Sequence, residues 1–343
     1  MILTINGADV TALVASVSTS GSSKECARTL KAEIVQSPID QNIPVVSVSV
    51  GDAVTFAEDG QNFVGTVRQV QRSTASDTVT VTAKDFGVYV VNNQISAKVK
   101  NATPAEAAAV LAGQYGVPVG RLEDVPFTFS RKWVGVSLYD AMMTGYALAA
   151  AENGLVYRMW FDGTSVNIGQ HGADVAALLS EDENIMQAVY SEDIQNMISQ
   201  VDIVDNDGNI TQTVTGDTSY GITRQQIQDS KGEDAIAKAQ EILQSKGLVR
   251  KGTIKNLGNS ACTSGRAIIV HESFTGIFGL FYIVSDQHSW KNGIYTNSLT
   301  LSWEDTMDAK AAGEALSNSS GGKSSTKGSI DDWVSDFNKK YGG

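Results

Sequence analysis

The first hundred residues show apolar and polar positions that alternate over short stretches. In TVTVTAKDF, residues 78–86, Val79, Val81 and Ala83 fall on one face of an extended chain, and threonines occupy the other. Residues 10–20, 28–37 and 61–72 follow a similar pattern. The pattern predicts strands of a β-sheet that buries one face.

The pattern changes at residue 101, where the first of two helices is predicted. NATPAEAAAVLAGQYG supplies Thr103 as N-cap, Pro104 at the first helical position and Glu106 as the capping-box partner. The second helix follows Ser137 in SLYDAMMTGYALAAAENG, with Asp140 in its first turn. Its apolar residues recur at helical spacing and predict a core-facing stripe of Leu138, Met142, Tyr146 and Ala149.

Turn signals then predict a return to β structure. Asp162-Gly163 separates two strand-like runs, and VDIVDNDGNITQTV has the composition of a second hairpin. One more helix is expected in GEDAIAKAQEILQSKG, closed by Gly247, before strands resume from residue 248 to about residue 305.

The C-terminal residues differ from everything before them. Residues 313–329 contain almost no large apolar side chain, which predicts a flexible linker. Residues 330–343 then place four apolar side chains on one side of a short helix, namely Trp333, Val334, Phe337 and Tyr341. Because so short a helix is not stable alone, we expect it to dock on a partner.

Two segments share a layout that predicts an internal repeat. GDAVTF, beginning at Gly51, precedes a strand opening at Phe63, and GRAIIV, beginning at Gly265, precedes a strand opening at Phe281. An alternating strand follows each after a polar turn. Duplication of one folding unit would explain this layout. The alternative explanation is that any two antiparallel barrels share such turns and alternation.

Composition and charge limit the number of cores and the classes of partner that the chain can have. A chain of 343 residues with 42% hydrophobic content can bury two or three cores, and a net charge of -12 disfavours phosphate backbones and anionic lipids as partners. The chain has no run of 18 apolar residues and no signal-peptide pattern, so we expect it to fold in the cytoplasm. Its two cysteines, Cys26 and Cys262, are expected to be buried thiols.

The stretch FYIVSDQHSWKNG, residues 281–293, raises the question of catalysis. In a regular strand, one face carries Tyr282, Val284, Asp286, His288 and Trp290, while Ser285 and Ser289 point the other way. Neither serine then reaches the histidine, and no G-x-S-x-G motif supplies another nucleophile. The stretch predicts a cross-strand polar face with His288 near Asp286. No metal, cofactor or catalytic residue is predicted.

Several motifs in sequence order resemble one known family. They are ARTLKAEIVQSP, GDAVTF, NFVGTV, KDFGVYVVNN, NATPAEAA, GVPVG, SLYDAMMTGYALA and GLFYIVSDQHSWKNGIYTNSLTLSWEDTMD. Together they span about residues 25–310 and are similar to the XkdQ/YqbQ-like baseplate hub proteins of contractile phage tails and phage-tail-like bacteriocins. Residues 313–343 lie outside the resemblance.

The resemblance implies an α+β, mainly β fold, in which two tube-like antiparallel β-barrel domains flank an intervening α/β domain in a trimeric hub. The implied boundaries are 1–100 for the first barrel, 101–195 for the intervening domain and 196–312 for the second barrel, with a helical insertion near 232–246. Residues 313–329 then form the linker and 330–343 the docking helix.

The resemblance also implies a structural, non-enzymatic role. A trimeric, pseudo-sixfold ring would adapt a hexameric tail tube to a trimeric spike, since two similar units in each of three chains give six similar faces. The implied partners are further copies of the chain, the tail tube protein, the spike or central tip protein and baseplate wedge components, without membrane or sequence-specific nucleic acid. Assembly would occur in the bacterial cytoplasm. The alternative is a tail-tip component that binds or hydrolyses cell wall.

Overall fold

A computed structural model of the chain describes residues 1–37, 42–74, 76–170, 172, 174–229, 234–305, 307 and 312–316. Strands predominate among these residues. None of the helices described is long and apolar enough to cross a membrane.

The elements are numbered in chain order. The first half contains β1 (Ile2–Ile5), β2 (Ala8–Asp9), a 3-10 turn (Thr11–Leu13), β3 (Val14–Ser22), β4 (Glu25–Val35), β5 (Ala53–Glu58), β6 (Gln61–Arg72), β7 (Thr78–Asp85), α1 (Gly87–Asn92), β8 (Gln94–Ala102), α2 (Pro104–Gln114), β9 (Val119–Leu122), β10 (Phe129–Ser137), α3 (Leu138–Asn153), β11 (Tyr157–Asp162) and β12 (Ser165–Gln170). The second half contains β13 (Val175–Ser180), β14 (Ile185–Asp193), β15 (Gln200–Val204), β16 (Ile210–Thr215), β17 (Arg224–Gln228), α4 (Ala235–Ser245), β18 (Val249–Leu257), β19 (Ala267–Glu272), β20 (Ile277–Lys291), β21 (Ile294–Ser302) and β22 (Glu314–Ala315).

The predicted helix signals act as expected. Thr103 and Glu106 form the capping box of α2, since each side chain accepts a hydrogen bond from the other residue's backbone N–H. Ser137 caps α3 by accepting from the N–H of Asp140, and Gly154 ends that helix in the left-handed conformation. These signals are local, which is why the sequence predicts both helices.

Helix α3 lies at the centre of a large apolar core. The predicted stripe is buried, and so are Met143, Ala147 and Ala150 on other faces. A helix covered on all sides has to be apolar all round. Helices α1 and α2 and strands β8 to β12 complete this core, which we call the intervening core.

A small inserted module follows β14. Strands β15, β16 and β17 form a separate three-stranded sheet, and α4 packs against it through Ala239. The hairpin predicted at 201–214 is the β15–β16 pair, and the helix predicted near 232–246 is α4.

One large sheet contains the remaining strands except β22, which pairs with β10. Its main path runs β14-β18-β21-β20-β3-β4-β7-β6-β5-β1-β2, and β19 joins β20 to β13. We call β1 to β7 the first β unit, and β13, β14 and β18 to β21 the second β unit. Each unit has its own apolar core.

The path of hydrogen-bonded strands is open among the described residues, so neither unit closes on itself as a barrel. Strands β13 and β14, which lie within the range 101–195 predicted for the intervening domain, pair with β19 and β18 of the large sheet. The boundaries of independently folding domains stay a prediction.

Candidate functional site: a repeated sheet with two free edges

The large sheet contains the same four-stranded arrangement twice. Along the path β14-β18-β21-β20-β3-β4-β7-β6, the first four strands belong to the second β unit and the last four to the first. In each group, the sheet order visits the four strands as first, second, fourth and third along the chain. The chain therefore carries two copies of one topology, as the repeat in the sequence predicts.

The two copies also share irregularities. β6 has a register shift between Val67 and Gln69, and β20 has one between Ile283 and Ser285, which leaves Arg68 and Val284 as the extra residues. Arg68 and Val284 each stand seven positions after the first residue of their strand, Gln61 or Ile277. Shared bulges at equivalent positions indicate a duplicated unit more strongly than shared strand order does.

A glycine anchors each long strand in the same way. The N–H of Gly51 donates to the carbonyl of Val67, and the N–H of Gly265 donates to the carbonyl of Ile283. Both glycines have a positive φ, +96° and +84°, which other residues rarely adopt. The two glycines that open the predicted repeat are thus equivalent in the structure.

The structure corrects one detail of that repeat. The turn after β5 has two residues, 59–60, whereas the turn after β19 has four, 273–276. With Arg68 matched to Val284, the equivalent of Phe281 is Gly65, two positions away from Phe63. Matching the two phenylalanines was wrong because the sequence does not show the difference in turn length.

The two units meet where β20 pairs with β3. The antiparallel register extends over seven pairs, from Ser285 opposite Ser22 to Lys291 opposite Ser16. The second half of β20 therefore pairs with β21 on one side and with β3 on the other. We call this contact the internal junction.

The bulge at Val284 also corrects the predicted face of β20. Asp286, His288 and Trp290 share a buried face as expected. Before the bulge, however, the buried residues are Phe281 and Ile283, because one extra residue reverses the alternation. Tyr282 and Val284 therefore do not belong to the same face as Asp286.

A buried ion pair crosses the internal junction. Arg28 on β4 donates hydrogen bonds from both terminal nitrogens of its guanidinium to the carboxylate of Asp286, with Nη1 3.0 Å from Oδ1. The same Oδ1 accepts from the backbone N–H of Ser264 at 2.6 Å. Asp286 is only 3% exposed, so its carboxylate is shielded from water, and it connects β4, β20 and the loop before β19.

His288 completes the cluster. Its Nε2 lies 3.2 Å from Oδ2 of Asp286, as the sequence predicts for these two residues. The side-chain oxygen of Asn297 accepts a hydrogen bond from the backbone N–H of Asn259. The side-chain nitrogen of Asn297 lies 2.7 Å from Nδ1 of His288. The hydroxyl of Tyr295 also lies 2.7 Å from this Nδ1, so the nitrogen has two polar neighbours.

The electrostatics of the cluster are those of a structural ion pair. Burial opposes ionisation of Asp286, but Arg28 and His288 beside it hold its pKa well below the usual range. His288 is 0% exposed, so no substrate can reach it in this arrangement. Ser285 and Ser289 lie opposite Thr300 and Thr296 of β21, on the face of β20 away from the buried His288.

The thiols are equally inaccessible. Cys26 and Cys262 are buried thiols, as expected, and neither forms a disulfide bond. Burial raises the pKa of Cys262 to about 12. In the described part of the chain, no group of three or more His, Cys, Asp or Glu residues could hold a metal ion.

A cleft of about 690 Å³ lies beside the loop from Ser260 to Arg266. Its charged lining residues are Arg121, Arg158 and Arg266 with Glu123, Asp162 and Asp174. Arg158 packs 5.1 Å from the ring of Trp160, and burial lowers the pKa of this arginine to about 10. The lining therefore carries three cationic and three anionic side chains.

Two strand edges of the repeated sheet have no partner among the described residues. Strand β14 pairs only with β18, and β6 beyond its bulge pairs only with β7. Their equivalents, β3 and the second half of β20, pair with each other. The internal junction therefore occurs once among the described residues. The strands equivalent to its two sides, β14 and the end of β6, lie without a second partner at the two ends of the eight-stranded path.

The face of this sheet opposite the two cores is polar. Serine, threonine and glutamine predominate there, together with a few exposed apolar residues, namely Val189, Val249, Leu257 and Ile294. Its charged residues are Lys31, Lys84, Lys251, Lys255 and Lys291, with Glu25, Glu33 and Asp193. We call this surface the open face; lysines predominate on it although the chain as a whole is acidic.

The predicted docking residues Trp333, Val334, Phe337 and Tyr341 lie outside the described residues. Within the predicted linker, Glu314–Ala315 forms β22 and pairs with β10 at Arg131 and Lys132.

Solved structures with the same fold are phage tail proteins and a related secretion component. The 43 kDa tail protein of prophage MuSo2 from Shewanella oneidensis matches with a TM-score of 0.64 and 15% identity, over 88% of this chain and 96% of that one. A tail protein from Neisseria meningitidis gives 0.58 and 16%, over 88% and 95%. A component of the Escherichia coli type VI secretion system, itself described as similar to the T4 bacteriophage tail proteins gp27 and gp5, gives 0.52 and 11%, over 92% and 80%.

The fold is therefore that of phage tail proteins. The model of the YQBQ-like family matches residues 17–302, and the chain belongs to this family. No curated protein sequence matches the chain. The family resemblance stated from the motifs is confirmed.

Proposed function

We propose that the chain is the structural baseplate hub of a contractile injection system. Three copies form a pseudo-sixfold ring that joins the hexameric tail tube above to the trimeric spike below. The family and the fold support a tail or baseplate role. The observation that carries the proposal is the duplication of the four-stranded sheet within one chain.

Duplication resolves a mismatch of symmetry. A sixfold partner requires six equivalent contacts, and a threefold partner requires three. A chain with two similar units presents the same sheet to a tube subunit twice, while residues outside the repeat occur once per chain. The intervening core and the inserted module have no second copy among the described residues, so they are available for threefold contacts.

We further propose that the eight-stranded path forms part of a tube wall, with its open face toward the channel. In this arrangement, neighbouring copies continue the sheet of each unit. The tube-like wall then belongs to the assembly, and no barrel closes within one chain. Because lysines predominate on this face, we expect a channel wall that is weakly positive. An assembled ring with Lys31 and Lys251 on its outer surface would contradict this orientation.

The mass of the assembled species tests the proposal. Native mass spectrometry of the full chain should give a species of three times 36.4 kDa. Electron microscopy after mixing with tube protein should show these rings stacked on tube ends. A chain that stays monomeric at assembly concentrations and leaves the tube ends bare would overturn the hub assignment.

The C-terminal segment gives a second prediction. We propose that Trp333, Val334, Phe337 and Tyr341 capture a neighbouring baseplate or spike component, with the residues before them setting their reach. Deleting residues 317–343, which keeps β22, should leave the trimer intact and reduce incorporation of that component. Quantitative gel analysis of purified particles measures this.

A matched control separates apolar docking from chain length. Replacing Trp333 and Phe337 by serine keeps the length of the segment and removes two of its large apolar side chains. It should reduce incorporation as the deletion does. Normal incorporation with both variants would show that the segment has no docking role.

A further inference from the structure

We propose that the cleft beside the loop from Ser260 to Arg266 is an oxyanion site, in which Arg158 and Arg266 bind a carboxylate or a phosphate group. The proposal concerns the isolated chain and does not depend on the proposed trimer. The anion comes either from solution or from an acidic side chain of a neighbouring protein, since both sources present the same kind of group to a guanidinium.

Two distant parts of the chain bring the arginines together. Arg158 lies on β11 in the hairpin that follows α3, and Arg266 lies in the loop before β19. The side chain of Arg158 extends over Gly265, where an added Cβ would overlap its Nη1 and Cδ atoms. The absence of a side chain at Gly265 therefore leaves room for this crossing. The cleft is a seam between the intervening core and the second β unit.

The guanidinium of Arg158 keeps its hydrogen-bond donors available. It lies over the ring of Trp160, with Cζ 5.1 Å from the ring centroid. This contact is electrostatic and does not use up the N–H donors. Within the described part of the chain, the side chains of Arg158 and Arg266 donate no hydrogen bond and form no ion pair. Both are half-buried, so the two unpaired cations lie inside the cleft rather than in open solvent.

The positive charge around Arg158 is not balanced by its neighbours. Burial, together with the nearby Arg28 and Arg266, lowers the pKa of Arg158 to about 10. The carboxylate that favours its charged form, Asp286, already accepts hydrogen bonds from both terminal nitrogens of Arg28. A partly buried cation beside other cations is unfavourable unless an anion joins it. A bound oxyanion would supply that anion.

The acidic residues of the cleft do not fill this role. Glu123 is paired with Arg121, whose Nη2 lies 2.8 Å from Oε2 of the glutamate. Asp162 and Asp174 are exposed, and neither forms an ion pair within the described part of the chain. Exposed carboxylates are screened by water and salt and repel an incoming anion only weakly. The unpaired cations are thus more buried than the unpaired anions.

The rest of the lining suits a small polar ligand. Ser260 and Thr263 contribute hydroxyl groups, which can donate to an anion oxygen. Gly60, Gly169 and Gly172 place no side chain in the space. The volume of about 690 Å³ lies within the range of roughly 300–1,000 Å³ that is usual for small-molecule sites. Because a guanidinium binds carboxylate and phosphate through two parallel hydrogen bonds, the site should prefer oxyanions to chloride.

A bound anion would connect the intervening core with the repeated sheet. The loop that carries Arg266 also supplies the N–H of Ser264 to Asp286 and the N–H of Gly265 to the carbonyl of Ile283. An oxyanion held by both arginines would join β11 to this loop. We therefore expect binding to stabilise the folded chain.

Calorimetric titration of the full chain with sodium phosphate, in chloride buffer of constant ionic strength, tests the site. Phosphate should bind saturably, and Arg158→Gln or Arg266→Gln should weaken its Kd by about tenfold or more, because each variant removes a charged hydrogen-bond donor. Arg121→Gln is the matched control. This arginine lines the same cleft but is exposed and paired with Glu123, so its loss should change the Kd by less than about threefold.

A variant with the opposite effect guards against loss of binding through misfolding. Asp174→Asn removes an exposed carboxylate of the lining and should tighten phosphate binding by about twofold, which a damaged fold cannot do. Unchanged affinity in both arginine variants, or the absence of saturable binding to the unmodified chain, would overturn the proposal.

Thermal unfolding separates a ligand site from a structural role. Phosphate at about 100 times its Kd should raise the unfolding temperature by about 3–6 °C. Phosphate also stabilises proteins by exclusion from their surface, so the part of the rise that disappears in Arg158→Gln is the part due to the site. Without phosphate, Arg158→Gln should unfold at the same temperature as the unmodified chain or higher. A variant that unfolds several degrees lower and keeps the full rise would contradict the proposal.

Equilibrium dialysis with radiolabelled phosphate distinguishes the two sources of the anion. Binding to both the isolated chain and purified baseplates would identify an anion from solution as the occupant. Binding to the isolated chain alone would show that an acidic side chain of a neighbouring protein occupies the cleft after assembly. Binding to neither would overturn the oxyanion site, whereas the hub assignment is tested separately by the mass of the assembled species.

Discussion

Replacing Asp286 by asparagine should lower the free energy of unfolding by about 2–4 kcal/mol, because the Arg28 guanidinium, whose side chain is only 22% exposed, loses its counter-charge. The carboxylate accepts from Arg28 and Ser264 and faces His288, so the change affects every contact in the cluster. Urea denaturation followed by circular dichroism measures the loss.

The substitution Asp207→Asn is a matched control, since its side chain lies exposed in the turn between β15 and β16. It should change stability by less than about 0.5 kcal/mol. A loss equally small for Asp286→Asn would show that the cluster does not hold the internal junction together.

The same cluster predicts a dependence on pH. The pKa of Asp286 is lower in the folded chain than in the unfolded chain, where it is near 3.9. Its contribution to stability is therefore complete above about pH 4 and is lost as the pH falls through the folded pKa. Asp286→Asn should flatten the acid side of the stability profile; a profile with the same acid slope as the unmodified chain would argue against this origin.

Replacing Trp290 by alanine should have a comparable effect, with a loss of about 3–5 kcal/mol. Trp290 lies on β20 of the second unit, yet it packs in the core of the first. Its ring stacks on Tyr295 at 4.5 Å and meets Phe56 edge-on at 4.9 Å, and its Nε1 donates to Asp59 at 3.0 Å. The side chain therefore links the two units through packing.

Trp290→Phe keeps a ring in the same place and removes the hydrogen bond to Asp59, so it should cost clearly less than the alanine substitution. Thermal and urea unfolding of both variants provide the comparison. Equal and small losses for the two would mean that the units hold together without this contact.

The parts of the fold that depend on neighbouring residues were predictable from the sequence. Thr103 and Ser137 cap the helices that follow them, and Asp162-Gly163 turns the β11–β12 hairpin, because each signal acts within a few residues. Gly51 and Gly265 mark equivalent points of the repeat for the same reason.

The internal junction could not be predicted in this way. Arg28 and Asp286 are 258 residues apart, and nothing near either residue indicates the other. The bulge at Val284 depends on what β20 pairs with along its length, so alternation alone assigned Tyr282 to the wrong face. The free edges become visible only when the paired strands are known.

The central claim is that two copies of one sheet in each chain let three chains act as a ring of six units. An electron cryomicroscopy map of the assembled full chain tests it most directly. The account predicts a threefold ring of six similar four-stranded groups, two from each chain. A map showing a monomer, or a ring whose copies meet through other surfaces, would contradict it.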